Sequence, residues 1–283
     1  MYKVLCFGKN SFIASQLESN IKNDSIHFDW FSRGNESRIG NLIFGDLNNI
    51  NNNQFLNHSY DCVINFAILK DSTIDENIEF IKNIINYCLK NNVKKLLHFS
   101  SPMVYPYNLN YIDEHTEIEN LNVTWKGHYA RIKLATDKYL LDNSINLPFK
   151  ICILRPGFVY ETFNQVKFSF NILGKIRLLL SDKKSVLPII SKIDLHNALE
   201  KLIVTDKIPK VVHLFKNGGT NKFHFTKNNY PNSFIININY LFFLCLPKFI
   251  FKYSSKTRLL YSRIEGLFLR NNFSNYNSQN FFK

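Results

Sequence analysis

Acidic residues almost disappear from the last third of this 283-residue chain. Residues 201–283 hold 13 Lys or Arg against two acids, Asp206 and Glu265, a net of +11 out of a formal charge of +13. A region so short of carboxylates suits an anionic partner: nucleic acid, acidic lipid or a phosphorylated substrate. No nucleic acid is expected, because the basic residues are scattered among apolar ones without a helix-turn-helix, finger or stacking motif. Cysteine is also sparse. Cys6, Cys62, Cys88, Cys152 and Cys245 lie far apart with no Cys-x-x-Cys pair. That spacing argues against a disulfide framework or structural zinc and for a reducing compartment. Asp113-Glu114-His115 does not have metal-ligand spacing, so no metal is expected.

Long apolar runs are missing too. The most apolar stretch, residues 234–253, is broken by Asn237, Asn239, Pro247 and Lys248. It falls far below the roughly 20 residues needed to cross a bilayer. It reads as a buried helix pair. The neighbouring Lys248, Lys252, Lys256, Arg258 and Arg263 leave open a segment resting on an anionic membrane surface. At the other end, the strand-like run Tyr2–Phe7 begins at once and leaves no room for a secretory leader. The expectation is a cytoplasmic protein, peripheral at the inner face of the membrane if the basic segment does touch lipid.

What is present is a globular composition, 45% apolar and 20% charged, on a chain long enough for a main domain and a smaller companion. Short apolar runs at 2–7, 26–31, 41–44, 62–67, 95–99 and 151–154 alternate with helical patterns at 12–19, 74–90 and 129–141. Strands that are apolar along their length imply parallel strands covered on both faces, with ligands at their carboxyl ends. The expected fold is a doubly wound α/β parallel sheet over residues 1–160, with a return segment near 190–215. Residues 161–283 form a smaller, basic and apolar substrate-binding region. The asparagine runs mark turns.

The chemistry centres on Tyr129 and Lys133, four residues apart in a helical stretch and therefore on one face. A lysine beside a phenol favours the phenolate, lowers its pKa and equips it to move a proton. Gly8 follows the first strand and allows close backbone approach to a pyrophosphate at a helix N-terminus. At the end of the second strand stand Ser32 and Arg33, where an arginine pairs with the 2′-phosphate of NADP and an acid would select NAD. Arg38 is a possible helper, and Asp29 competes only if the register is shifted.

Taken in order, these features resemble the extended short-chain dehydrogenase/reductase family, in its NAD(P)-dependent nucleotide-sugar epimerase, dehydratase and ketoreductase branch. Gly8, Ser11 and Ala14 match the three glycines of the first turn, with Phe12-Ile13 as the apolar pair between the latter two. Gly45-Asp46-Leu47 resembles the adenine-contacting element, and Val63-Ile64-Asn65-Phe66-Ala67 the fourth strand. Asn77 and Asn83 match polar positions of the next helix. His98-Phe99-Ser100-Ser101 resembles the strand that delivers the catalytic serine. Leu154-Arg155-Pro156-Gly157 resembles the segment beside the nicotinamide. The match covers about residues 2–200 and departs from the pattern at Ser11 and Ala14.

The resemblance implies a Rossmann domain and catalysis by Ser101, Tyr129 and Lys133. Tyr129 would exchange a proton with the substrate oxygen, Ser101 would bond the same oxygen, and Lys133 would hold the nicotinamide ribose. The implied cofactor contacts are Gly8, Ser11, Phe12, Ile13, Arg33, Asp46, Leu47, Phe66, Ala67, Asn77, Tyr129, Lys133 and Pro156. Pro102-Met103 follows Ser101 where family dehydratases carry two acids, which argues against a 4,6-dehydratase. With Arg33 pointing to NADP over NAD, reduction of a 4-keto nucleotide-diphosphate sugar is the leading expectation. A 4-epimerase using NAD, another small-molecule reductase and a noncatalytic NADP-binding homologue are the alternatives. Arg177, Arg258 and Arg263 are candidate diphosphate clamps, and the family commonly forms homodimers.

Overall fold

Val4, Leu5, Cys6 and Phe7 are fully buried, as a strand covered on both faces requires. They belong to β1 (Tyr2–Phe7), which leads to a short helix α1 (Leu17–Asn20), then β2 (Ile26–Arg33), β3 (Ser37–Ile39) and β4 (Leu42–Gly45). Next come β5 (Cys62–Asn65), α2 (Ile74–Lys90), β6 (Lys95–Phe99), β7 (Tyr111–Ile112), α3 (His128–Asn143) and β8 (Lys150–Pro156). The computed structural model describes residues 1–56, 59–106, 109, 111–122, 126–162, 169–180, 186–215, 220–238, 272–274 and 281.

The remaining described elements are β9 (Phe158–Tyr160), β10 (Ser169–Leu173), β11 (Ile176–Leu180), β12 (Val186–Leu187), β13 (Ile189–Ser191) and α4 (Lys192–Val204). They are followed by β14 (Val211–Leu214), β15 (Thr220–Asn221), α5 (Lys222–Asn229), β16 (Phe234–Ile238) and β17 (Asn272–Phe273).

The main sheet has eight strands in the order β14-β8-β6-β5-β1-β2-β4-β3. All neighbours run parallel except β3, which pairs antiparallel with β4 at the edge. On one face Leu17 and Ile21 pack with Leu195, Leu199 and Leu202 of α4. On the other, Phe80, Ile84 and Cys88 of α2 join Leu140 of α3. This is the expected Rossmann-like sheet wound on both faces. Beyond it, β10, β11 and β16 make a separate three-stranded sheet, and β9 pairs with β13. Cys6, Cys62, Cys88 and Cys152 are buried thiols; Cys245 lies outside the described residues.

Two local devices set the loops at the carboxyl edge. Asn65 ends β5 by accepting from the Ala67 amide at 3.0 Å, so the strand stops two residues short of the expected 62–67. Thr73 starts α2 with a capping box: its hydroxyl accepts from the Glu76 amide and the Glu76 carboxylate accepts from its own amide. Such a cap contributes about 1 kcal/mol.

The sequence pattern misleads at both ends of the chain. The helix expected over 12–19 is instead a series of turns, and α1 occupies only Leu17–Asn20. Ser11 draws the amides of Ala14 and Ser15 onto its carbonyl, and Gln16 adopts φ 64°, which breaks the helical path. At 234–238 the expected helix is a strand, β16, paired parallel with β11 from Ile176↔Phe234 onward. The rest of that apolar stretch lies outside the described residues, as do Arg258 and Arg263. Among the described residues no helix is long and apolar enough to cross a membrane.

Candidate active site

Parallel strands deliver the predicted residues to one rim. Gly8 follows β1, Phe66 and Ala67 follow β5, Ser100 and Ser101 follow β6, and Pro156 closes β8. Helix α3 brings Tyr129 and Lys133 over the end of β6. The Lys133 ammonium is buried and donates to the Phe99 carbonyl at 2.5 Å, tying helix to strand. Ser101 caps a 3-10 turn by accepting from the Met103 amide at 3.2 Å. Its hydroxyl also stands beside the phenol of half-buried Tyr129, close enough to favour the phenolate. Buried Lys126 secures this loop by donating to the carbonyls of Met103 and Tyr105, each at 2.8 Å.

The electrostatics correct one expectation. Burial pushes the Tyr129 phenol up to about 12, with the Asp137 charge adding to the rise and the nearby Ser101 hydroxyl opposing it. Lys133 does not lower it, because its ammonium is itself desolvated, pulled down to about 8 and committed to Phe99. Tyr129 therefore carries its proton at neutral pH in the protein alone.

The cofactor candidates occupy the same rim. Gly8 has φ +92°, and a Cβ there would lie 2.8 Å from the Ala67 amide nitrogen. Only glycine allows β1 and β5 to end this close together. Phe7 pairs with Phe31, so Ser32 and exposed Arg33 reach the rim just beyond β1, and Arg33 pairs with Gly45 beside exposed Asp46. Asp29 is buried three residues earlier, level with Leu5, and is bonded by Arg38 at 3.0 Å and Tyr60 at 2.7 Å. That places no carboxylate where the second strand meets the rim and removes Arg38 as a helper. Asp46 bonds the Asn48 amide, and Leu47 is half-buried. Phe66 is buried and stacked between Trp30 and Phe99.

The donor set fits a dinucleotide best at its nicotinamide end. There a buried ammonium, a phenol and a serine converge. At the pyrophosphate end, Ser11, Phe12 and Ile13 offer the amides of an irregular turn rather than a helix N-terminus. Lys192 is fastened to this turn, with its ammonium on Ser15 at 2.7 Å, paired with Glu161 and 4.2 Å over the Phe12 ring.

Other polar residues of the sheet's rim and helices serve the scaffold. Asn77 spends its amide on Leu69 and Thr73, holding the loop after β5 rather than facing Tyr129. Asn83 bonds the Asn48 carbonyl, and His98 is buried against Asn65. His128 turns to the Ser72 carbonyl, and Asp113 caps its own loop. Asp194 sits in the first turn of α4, which leads into β14 of the main sheet. Arg177 stacks 3.2 Å above Tyr230. Among the described residues no His, Cys, Asp and Glu cluster could hold a metal.

Sequence reasoning missed a buried polar chain behind the site. Arg155 joins Asp137 of α3 to the Tyr105 hydroxyl. Tyr105 donates to His213, whose Nδ1–H reaches the Ser274 carbonyl at 2.6 Å. Burial lowers His213 to about 3, so it is neutral and this tautomer satisfies both ring nitrogens. The available signal was Asp137 itself, four residues beyond Lys133.

The family model described as the NAD dependent epimerase/dehydratase family matches residues 4–222. No curated protein matches the chain by sequence. Among solved structures, MoeE5 in complex with UDP-glucuronic acid and NAD superposes with TM-score 0.64 at 16% identity, over 99% of this chain and 92% of that one. UDP-N-acetylglucosamine 4-epimerase from Bacillus cereus gives 0.60 at 16% identity, over 93% and 95%. Human epimerase family protein SDR39U1 with NADPH gives 0.65 at 12%, over 99% and 94%. At these identities the likeness is one of fold.

Proposed function

Since the chain belongs to the NAD dependent epimerase/dehydratase family, we propose that it is a nucleotide-sugar 4-epimerase, inverting a ring hydroxyl by transient oxidation of its carbon. The observation that carries this reading is the Ser101–Tyr129 pair at the end of β6, with Pro102 and Met103 where an elimination would need carboxylates. A phenol and a serine on one oxygen suit carbonyl/alcohol interconversion. Tyr129 takes the proton of the 4-hydroxyl and returns it after the sugar has turned. Ser101 bonds the same oxygen and fixes its position. Lys133 holds the nicotinamide ribose. When bound, an oxidised dinucleotide supplies the hydride acceptor and a positive charge near the phenol.

The neighbours support epimerase chemistry over the reductase expected from sequence. One is named a UDP-N-acetylglucosamine 4-epimerase, and another holds a UDP-sugar with NAD. One-way reduction of a 4-keto sugar with NADPH is the second reading, favoured by Arg33 at the rim with no carboxylate at the end of its own strand. A panel of UDP- and dTDP-hexoses, incubated with catalytic NAD or NADP, tests the choice. Interconversion of 4-epimers without net cofactor consumption supports the first reading. Stoichiometric oxidation of NADPH by a 4-keto sugar supports the second, and no turnover with either class removes both.

A further inference from the structure

Helix α3 repeats a polar residue on one face at four-residue spacing: Tyr129, Lys133 and Asp137. The third is as buried as the second, with Asp137 at 0% and Lys133 at 3% exposure. Arg155 donates to a single Asp137 oxygen through both Nε, at 3.0 Å, and Nη2, at 2.9 Å. The other oxygen, Oδ1, and the neighbouring Ser100 hydroxyl make no hydrogen bond of ordinary geometry among the described residues, though Ser100 stands close enough to favour the carboxylate. Arg155 thus pairs directly with one Asp137 oxygen, while buried Lys133, one turn earlier on the same helix face, feels the carboxylate's charge without touching it.

We propose that Asp137 is a positioning residue for Lys133, the counter-charge that keeps its ammonium charged and seated at the end of β6. The inference rests on the reading of Lys133 as a working residue of the site. Each element around it is accounted for. From α3, Asp137 is the group acting against desolvation of Lys133. From β6, His98 is held well below its ordinary range by burial and stays neutral, so it supplies no charge. From β8 comes Arg155, itself bound to Asp137. Tyr105 and His213 lie on the far side of Arg155, where buried Glu114 also acts on Tyr105. An ammonium buried without a carboxylate sheds its proton. Neutral Lys133 would keep a hydrogen bond to Phe99 but lose the charge and the third donor with which it would hold the nicotinamide ribose.

The test titrates Lys133 directly in the full chain labelled with [ε-13C]lysine, its resonance assigned by its loss in Lys133→Met. The wild-type midpoint is expected at about 8. Asp137→Asn is expected to lower it by about one unit or more, a tenfold or greater loss of proton affinity, and Asp137→Glu to restore it. An unchanged midpoint in folded Asp137→Asn, or a fall in Asp137→Glu equal to that in Asp137→Asn, overturns the proposal. If a stranded Arg155 prevents Asp137→Asn from folding, Asp137→Asn/Arg155→Met is compared with Arg155→Met alone. The lysine midpoint must be lower in the double variant, and equal midpoints again overturn the proposal. The titration needs neither sugar nor dinucleotide. A shifted midpoint without sugar turnover upholds this inference and sinks only the assigned reaction.

Discussion

Lys133 donates to the carbonyl of Phe99, so a residue of the helix that carries Tyr129 is fastened to the last residue of the strand that delivers Ser101. The bond fixes the separation of the three groups without help from any ligand. It also buries an ammonium, and the fold is destabilised by that burial.

The cost has a definite pH dependence. Lys133 titrates at about 8 in the folded chain against an ordinary 10.5. Below the folded value both states carry the proton and the penalty is fully present. As pH rises from there, the folded state sheds the proton first, and the penalty is gone above the unfolded value. Lys133→Met is therefore expected to stabilise the fold at pH 7 by about 1–3 kcal/mol. Urea melts should show that advantage shrinking steadily towards about pH 10.5, while activity is lost throughout.

Tyr129→Phe should cut turnover by about 10²–10⁴-fold, the usual contribution of a positioned acid–base group. Dinucleotide binding, followed by calorimetry, should persist. Because the wild-type phenol sits at about 12, the oxidative direction needs its minor, deprotonated form. Initial rates of oxidation should climb with pH from about 6 towards about 8, where Lys133 begins to lose its proton, while reduction, which uses the protonated phenol, stays flat over that range.

The parallel sheet was legible because its strands are apolar from end to end, and α2 matches its expected bounds because Thr73-x-x-Glu76 is a capping signal. The gathering of Ser101, Tyr129 and Lys133 at one rim was legible through spacing and order along the chain. The first turn was not. Phe12-Ile13 carries a helix-like pattern, yet Ser11 and Gln16 spend the local backbone bonds on successive turns. The Asp137–Arg155 pair was hidden for a different reason: its partners are 18 residues apart, and burial at both ends exists only after α3 packs on β8. Residues 234–238 read as helix because an apolar run without alternation fits either element, and pairing with β11 decides it.

Gly8→Ala should be costly. Its φ of +92° strains any side chain, and the new Cβ would press on the Ala67 amide. A loss of about 2 kcal/mol or more is expected in urea melts. The expected companion effect is weaker binding of NAD and NADP alike, since the turn supports the half of the dinucleotide they share.

Arg33 should discriminate between the two dinucleotides. Arg33→Ala is expected to weaken NADPH binding about tenfold or more while leaving NADH within about twofold, because the arginine pairs with the extra phosphate alone. Equal losses for both, or a wild-type preference for NADH, would count against its place at the ribose phosphate.

The most direct test of the account follows hydrogen at the reacting carbon. UDP- and dTDP-hexoses carrying deuterium at C4 are incubated with the chain and a catalytic amount of dinucleotide, and products are read by NMR and mass spectrometry. The account predicts a 4-epimer that keeps deuterium at C4, no net cofactor consumption, and no product with Tyr129→Phe. Epimer formation with C4 deuterium washed out to solvent, undiminished conversion by Tyr129→Phe, or no conversion of any sugar nucleotide would contradict it.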